Sequence, residues 1–290
     1  GVTALAMAGN TRLAVADSGK ALHWFATANG TLLETTATPG VATDLVAANS
    51  GRTLYLASAD NNAWVVEAAL DHLLIGHTGA AAGVAFSSDG RWVFSCGADN
   101  TLRQWDTTTG TATRTYTGSN KPLLRLAVSA DGKRLAAATN DNRILGWTLK
   151  ADAAAAAVAS DLAITTPAAI ADLAINGDGT VIATAGADNV VSLWHTPTGT
   201  LLERLPGHTS TLRSVAISAD SRRVVSGAND RFVFRHGPAV VNAFRAHATP
   251  IRAAAFTPDG KQLITAGDDK RVARWMVPDG QPVNEYAGSA

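Results

Sequence analysis

AFTPDGKQLITAGDDKRVARW, Ala255 to Trp275, carries the pattern that decides the fold. It reads as an apolar run, a tight turn, a second apolar run, an acidic turn, and an alternating run ending in Trp. Each run has the length of a short strand, and Asp259-Gly260 and Asp268-Asp269 supply turn chemistry between them. The same unit recurs at Ala85 to Trp105, Ala127 to Trp147 and Ala174 to Trp194, and at Ala216 to His236 with altered ends. The chain is therefore a repeat protein.

The acid closing the second run gives a ruler. It falls at Asp17, Asp60, Asp99, Asp141, Asp188, Asp230 and Asp269, at intervals of 43, 39, 42, 47, 42 and 39. A period near forty with four short strands per repeat predicts propeller blades. The expected fold is all-β: a seven-bladed β-propeller with four antiparallel strands per blade. One domain spans 1–290, with blades at about 1–39, 40–79, 80–120, 121–167, 168–209, 210–249 and 250–290. Blade four is the longest, and its outer part includes an alanine run, Ala153 to Ala157, read as a helical turn or a loose edge strand. The chain starts on an inner strand and ends on an outer one, so blades one and seven are each expected from contiguous sequence, the alternative being a latch strand supplied from further N-terminal in a parent protein. Its abrupt ends suggest a piece of a longer chain.

Composition narrows the function. Of 290 residues 46% are apolar and 17% charged, ample for a core. With 24 basic and 24 acidic side chains the net charge is zero, which gives no push toward nucleic acid. No apolar run approaches the ~18 residues of a membrane helix. The single Cys96 forbids an internal disulfide. No phosphate loop, nucleophile elbow or paired-cysteine zinc spacing is present, and no cofactor is implied.

GHTGAAAGVAFSSDGRWVFSCGADNTLRQWD, Gly76 to Asp106, resembles the WD-repeat β-propeller family almost throughout, and the resemblance extends weakly to blades one and two. The chain is similar to bacterial WD-repeat domains with seven repeats. The resemblance implies a hydrogen-bonded tetrad of Trp, Ser or Thr, His and Asp in each complete blade. Carried over by position, the tetrads are His77, Ser95, Asp99 and Trp105 in blade three, and His247, Thr265, Asp269 and Trp275 in blade seven. Blade five keeps Thr184, Asp188 and Trp194 without a histidine. Blade four has Ala137 at the hydroxyl position, breaking the link between Asp141 and Trp147. Blade six has His208, Ser226 and Asp230, with His236 where Trp is expected. Blade two has Val66 there, and Trp64 two residues earlier.

His236, near His208 and Asp230, invites a metal reading, since imidazole and carboxylate suit zinc; the structural reading is preferred and no metal is assigned. Cys96 lies mid-strand and is read as structural. The Asp-Gly pairs at Asp89, Asp131, Asp178 and Asp259 are read as turns, so no catalytic residue is assigned and the chain is not read as an enzyme.

What remains is surface. The resemblance implies docking on the face formed by the acidic turns and the segments leading into the inner strands. Arg213 and Arg252 occupy equivalent positions there, with Arg125 one step out of phase, and nearby turns add Arg231, Lys270 and Arg271. Small residues precede the acid at Ala16, Ala59, Ala98 and Ala187, against Asn140, Asn229 and Asp268 elsewhere. This predicts an apolar half over blades one to three and a basic sector over blades six and seven. A protein or peptide partner, possibly acidic, is the expectation, or other domains of the same parent chain. Trp92, at a mostly polar repeat position, is a second surface candidate on the opposite rim. The alternatives are a propeller enzyme with a channel-mouth site, for which Asp44, Asp172 and Arg125 leave a small opening, and a purely architectural module.

Overall fold

The computed structural model describes residues 2–8, 12–27, 31–38, 40–47, 54–60, 63–66, 73–149, 157–218, 220–236, 242–257, 261–277 and 280–287. Among these, all regular structure is β-strand. Blade three shows how sequence sets geometry. Ala81–Phe86, Trp92–Gly97, Leu102–Asp106 and Ala112–Thr117 pair antiparallel in chain order. The first turn closes because Asp89 accepts hydrogen bonds from the Ser87 hydroxyl (2.5 Å) and the Arg91 N–H (3.0 Å), with Gly90 at φ +71°. Asp131 and Asp220 repeat that arrangement with Ser129 and Ser218. The Asp259 turn lies outside the described residues, as do the Asn61-Asn62 turn and the side chains of Trp64 and Val66.

The sheets stand around an axis, each innermost strand beside the next, and Ile251–Phe256 returns to Val2–Ala8. The expectation of seven uniform blades of four antiparallel strands is corrected. Six sheets have that form. The sheet of blade three has five strands and mixed direction, because Ala157–Ala159 lies parallel against its outer strand, with Thr115 opposite Ala157. The long blade-four repeat supplies the spare chain. An outer strand offers unpaired N–H and C=O groups, and small side chains can lie against it. The chain then returns, and Leu162–Thr165 completes blade four. Of the alanine run, residues 153–156 lie outside the described residues and Ala157 begins this fifth strand.

Blade one corrects the ruler. In blades two to seven the acid sits midway between hairpin partners, as Asp99 does between Val93 and Trp105. In blade one Leu13 pairs with Phe25, so the midpoint is Gly19, and Asp17 ends the strand. The left-handed residue that follows the midpoint agrees: Lys20 matches Asn100, Asn142, Asn189, Arg231 and Lys270. Asp17 instead accepts from the N–H groups of Gly19 (2.9 Å) and Ala21 (3.0 Å). Ala16, expected on the face, is buried.

The core lies between blades. Among the described residues, seven apolar clusters each join two neighbours. Leu13, Val15 and Phe25 of blade one meet Ile264, Ala266 and Val272 of blade seven at the closing seam. Across that seam the Arg274 guanidinium also donates to the Thr27 carbonyl (2.7 Å). Blades one and seven are each built from contiguous chain. Alanines such as Ala136, Ala183 and Ala266 are fully buried in these seams, which accounts for their abundance.

Candidate functional site

The tetrads tie the strands of blades three and seven together beneath the face. In blade three the Trp105 indole N–H donates to Ser95 Oγ (2.7 Å). An indole can only donate, so the Ser95 hydrogen turns to His77 Nε2 (2.7 Å), and His77 Nδ1–H donates to Asp99 (3.0 Å). Asp99 further accepts from the N–H groups of Thr78 and Thr101, both at 3.1 Å. Burial works to raise the Asp99 carboxyl, but the His77 side chain and these hydrogen bonds hold it below the usual range. Burial lowers His77, outweighing the pull of Asp99. Blade seven repeats the chain through Trp275, Thr265, His247 and Asp269 at 2.8, 2.8 and 3.0 Å.

Incomplete blades find substitutes. In blade six His236 Nε2 lies 3.1 Å from Ser226 Oγ, which also meets His208 Nε2 at 2.9 Å. His236 thus supplies the N–H that indole would, and among the described residues its buried Nδ1 has no partner. Burial, then the His208 ring, push His236 down to about 4. Among the described residues no group of three or more His, Cys, Asp or Glu could hold a metal. In blade four the Trp147 N–H turns to the Thr117 carbonyl of blade three (3.0 Å). The sequence reading missed what fills the histidine position elsewhere. Thr38, Ser119 and Thr166, each four residues before an inner strand, donate their hydroxyls to the carbonyls of Gly40, Lys121 and Ala168 at 2.8, 2.5 and 2.8 Å. That spacing, with a hydroxyl residue at it, was the available signal. In blade five the imidazole's absence leaves a cavity of about 10 Å³ lined by Thr166, Thr184, Asp188 and Trp194, and Asp188 pairs with Arg204.

The inner strands build the axial mouth. Every one carries a β-bulge at its start. The extra residues are Thr3, Thr43, Ala82, Leu124, Ala171, Arg213 and Arg252; the next along include Asp44, Arg125 and Asp172. A cavity of about 230 Å³ gathers Arg125, Arg213 and Arg252 with Thr3, Asp44 and Asp172. Arg252 is held bidentate by Asp268, at 2.6 and 2.6 Å, whereas Arg213 donates to the neutral Asn229 amide (2.9 Å). Arg125 Nη1 donates to the Leu124 carbonyl (2.8 Å), and its Nε is 3.9 Å from Asp172. Arg271 pairs with Glu285 (3.2 Å). Arg231, Lys270 and Arg271 are exposed at the acidic turns of blades six and seven and do not line the cavity. Arg213, Arg231, Arg252, Lys270 and Arg271 are exposed on blades six and seven, two of them paired with carboxylates, and Ala59 and Ala98 are exposed on blades two and three.

Trp92 is half-buried against the cluster between blades three and four, with the Arg91 guanidinium 4.7 Å over its ring. Cys96 is fully buried, and burial pushes its thiol up, away from a reactive thiolate.

Comparison with known proteins gives the family. The family described as "WD domain, G-beta repeat" matches residues 69–106, 110–148, 163–195, 199–234 and 239–275, five repeats. Among similar proteins, the ribosome biogenesis protein YTM1 of Laccaria bicolor is 35% identical over 41% of this chain and 26% of its own length. The WD repeat-containing protein 26 homolog of Arabidopsis thaliana is 23% identical over 83% of this chain and 42% of its own. Autophagy-related protein 16 of Arabidopsis thaliana is 24% identical over 53% and 38%. The chain therefore spans less than half the length of these relatives. All three are eukaryotic, which corrects the bacterial typing expected from the sequence, and the family model matches five repeats where seven were expected. With five repeats matched over more than half its length, the chain belongs to the WD-repeat family of β-propellers, whose members are typical of non-catalytic protein-interaction scaffolds.

Proposed function

We propose that this propeller is a rigid binding platform whose basic sector, Arg213, Arg252, Arg125, Arg231, Lys270 and Arg271, docks an acidic segment of a protein partner. The observation that carries the reading is Arg213: an exposed guanidinium at the axial mouth, oriented by a neutral amide rather than neutralised by a carboxylate. Such a group keeps its charge for a partner and already has its geometry. Strands fixed by tetrads and inter-blade cores hold the turns in place, so a partner meets little ordering cost on this side. Docking against other domains of a longer parent chain fits the same surface.

The test is affinity capture from a native lysate with wild type and an Arg213→Glu, Arg252→Glu double variant matched for thermal stability. A partner captured by wild type, lost with the variant and weakened by added salt supports the platform and its face. A partner retained equally by both sinks the basic-sector assignment.

A further inference from the structure

We propose that Arg213 and Asn229 form a receptor for a single carboxylate, one of whose oxygens bridges the Arg213 Nη and Asn229 Nδ2 groups. This rests on the reading of the basic face above and deepens it. The acidic partner's charge becomes a carboxylate, and its seat becomes blade six rather than the whole sector.

The chain carries the same pair twice, and the two copies differ in one terminal group. Arg213 and Arg252 are the bulge residues of the inner strands of blades six and seven. Asn229 and Asp268 each stand sixteen residues further on, directly before the acid of the next turn. In blade seven Asp268 gives Oδ1 to Arg252 Nε and Oδ2 to Nη2, both at 2.6 Å, so the protein's own carboxylate closes the fork. In blade six Asn229 Oδ1 accepts from Arg213 Nε at 2.9 Å. A guanidinium only donates, so the amide oxygen must face it, and the group matching Oδ2 is an NH₂, which also only donates. Arg213 Nη and Asn229 Nδ2 thus present donors side by side, and among the described residues no carboxylate pairs with Arg213. What satisfies such a pair is a negatively charged acceptor.

The surroundings select a monoanion. Arg213 is exposed, Asn229 is half-buried, and Arg213 lines the cavity of about 230 Å³, where a ligand can reach it. Asp44 and Asp172 line the same cavity and limit the negative charge it can take. Each accepts an N–H from the next blade, Val84 at 2.9 Å and Val215 at 3.0 Å, which holds its carboxylate in place. Burial raises both acids, Asp172 to about 6, so at neutral pH Asp172 is still mainly ionised. One added negative charge is answered by Arg213. A phosphate dianion brings a second, which meets these two acids. The planar, two-oxygen shape of a carboxylate also matches the edge of a guanidinium, as Asp268 shows on Arg252.

The test follows the side-chain N–H signals of Arg213 and Asn229 in ¹H–¹⁵N spectra of the deuterated chain. Ionic strength is held constant at about pH 7.5, where a phosphate monoester carries close to two charges. The titrants are sodium propionate, methyl phosphate and sodium chloride. Saturable shifts of both side chains with propionate, weaker with methyl phosphate and absent with chloride, are expected. No shift with propionate, equal shifts with chloride, or tighter binding of methyl phosphate overturns the proposal. Two near-isosteric changes then move the site. Asn229→Asp copies the closed pair of blade seven and should weaken propionate by roughly tenfold or more. Asp268→Asn copies the open pair of blade six and should give Arg252 a propionate response that it lacks in wild type. Made together they leave the net charge unchanged, so a response that stays on Arg213 in the double variant refutes the fork. Acetyl-Gly-Glu-Gly-amide and acetyl-Gly-Gly-Gly separate two sources, since one carries its carboxylate on a side chain and the other at the chain end. The tighter binder names the partner's group, and equal affinity assigns recognition to the carboxylate alone. Capture from lysate separates this proposal from the platform reading. A partner lost with Arg213→Glu, Arg252→Glu but kept by Asn229→Asp preserves the basic face and overturns the fork. Propionate bound at Arg213 with no partner captured does the reverse.

Discussion

His236 stands where blade six would have an indole, and the substitution has a pH signature. Its imidazole titrates near 4 in the fold against 6.5 unfolded, because burial and His208 oppose the charge. A folded value below the unfolded one means stability present above pH 6.5 and lost as pH falls toward 4. The gap corresponds to roughly 3 kcal/mol. His236→Gln, which keeps an N–H for Ser226, should flatten that part of the acid limb in denaturant melts, and an unchanged slope would refute the assignment. Asp172 has the opposite sign. Its folded value of about 6 exceeds the ordinary 3.8, so stability is full at low pH and declines as pH rises through 6. Relative to wild type, Asp172→Asn should gain stability between pH 4 and 7 by at most roughly 3 kcal/mol. Trp275→Phe leaves Thr265 without its donor and should cost about 1–3 kcal/mol; unchanged melting would break the tetrad.

Strands and turns are where sequence reading succeeded and failed for visible reasons. The Asp-Gly turns and the acid six residues before Trp were legible, because each is a local hydrogen-bond requirement repeated at fixed spacing. Blade one misled because Asp17 is an acid near the expected place, while the true midpoint is Gly19; Phe25, six residues beyond, was the better marker. The fifth strand at Ala157–Ala159 was illegible, since a parallel pairing of three small residues leaves no periodic trace. Of the site, the equivalence of Arg213 and Arg252 was readable from the repeat. Their unequal neutralisation depended on Asn229 and Asp268 and needed side-chain geometry. Turn chemistry also yields a prediction. Ser221 holds φ +60° where Gly90, Gly132 and Gly179 stand in the equivalent turns. Ser221→Gly should relieve left-handed strain and raise stability by about 0.5–1 kcal/mol. A fall would mean that the bond Ser221 accepts from the Asn176 side-chain amide is worth more.

The ring depends on the seam between its first and last blades. Among the described residues an apolar cluster with Leu13 fully buried in it, and the Arg274 bond to the Thr27 carbonyl, join the two sheets. Leu13→Ala should cost roughly 2–5 kcal/mol, and hydrogen exchange should accelerate first in blades one and seven. Uniform acceleration around the ring would show that the seam is not the weak place.

The same seam sets a waiting time during synthesis. Thr27 and the guanidinium that reaches it are 247 residues apart in the chain. At the usual ~5–20 residues per second, roughly 12–50 s separate their emergence from the ribosome. Through that interval Leu13, Val15 and Phe25 have no seventh blade to cover them. The nascent chain therefore carries a sticky flank from its first blade almost to its last, and its yield in the cell should depend on whatever shields that flank in the meantime.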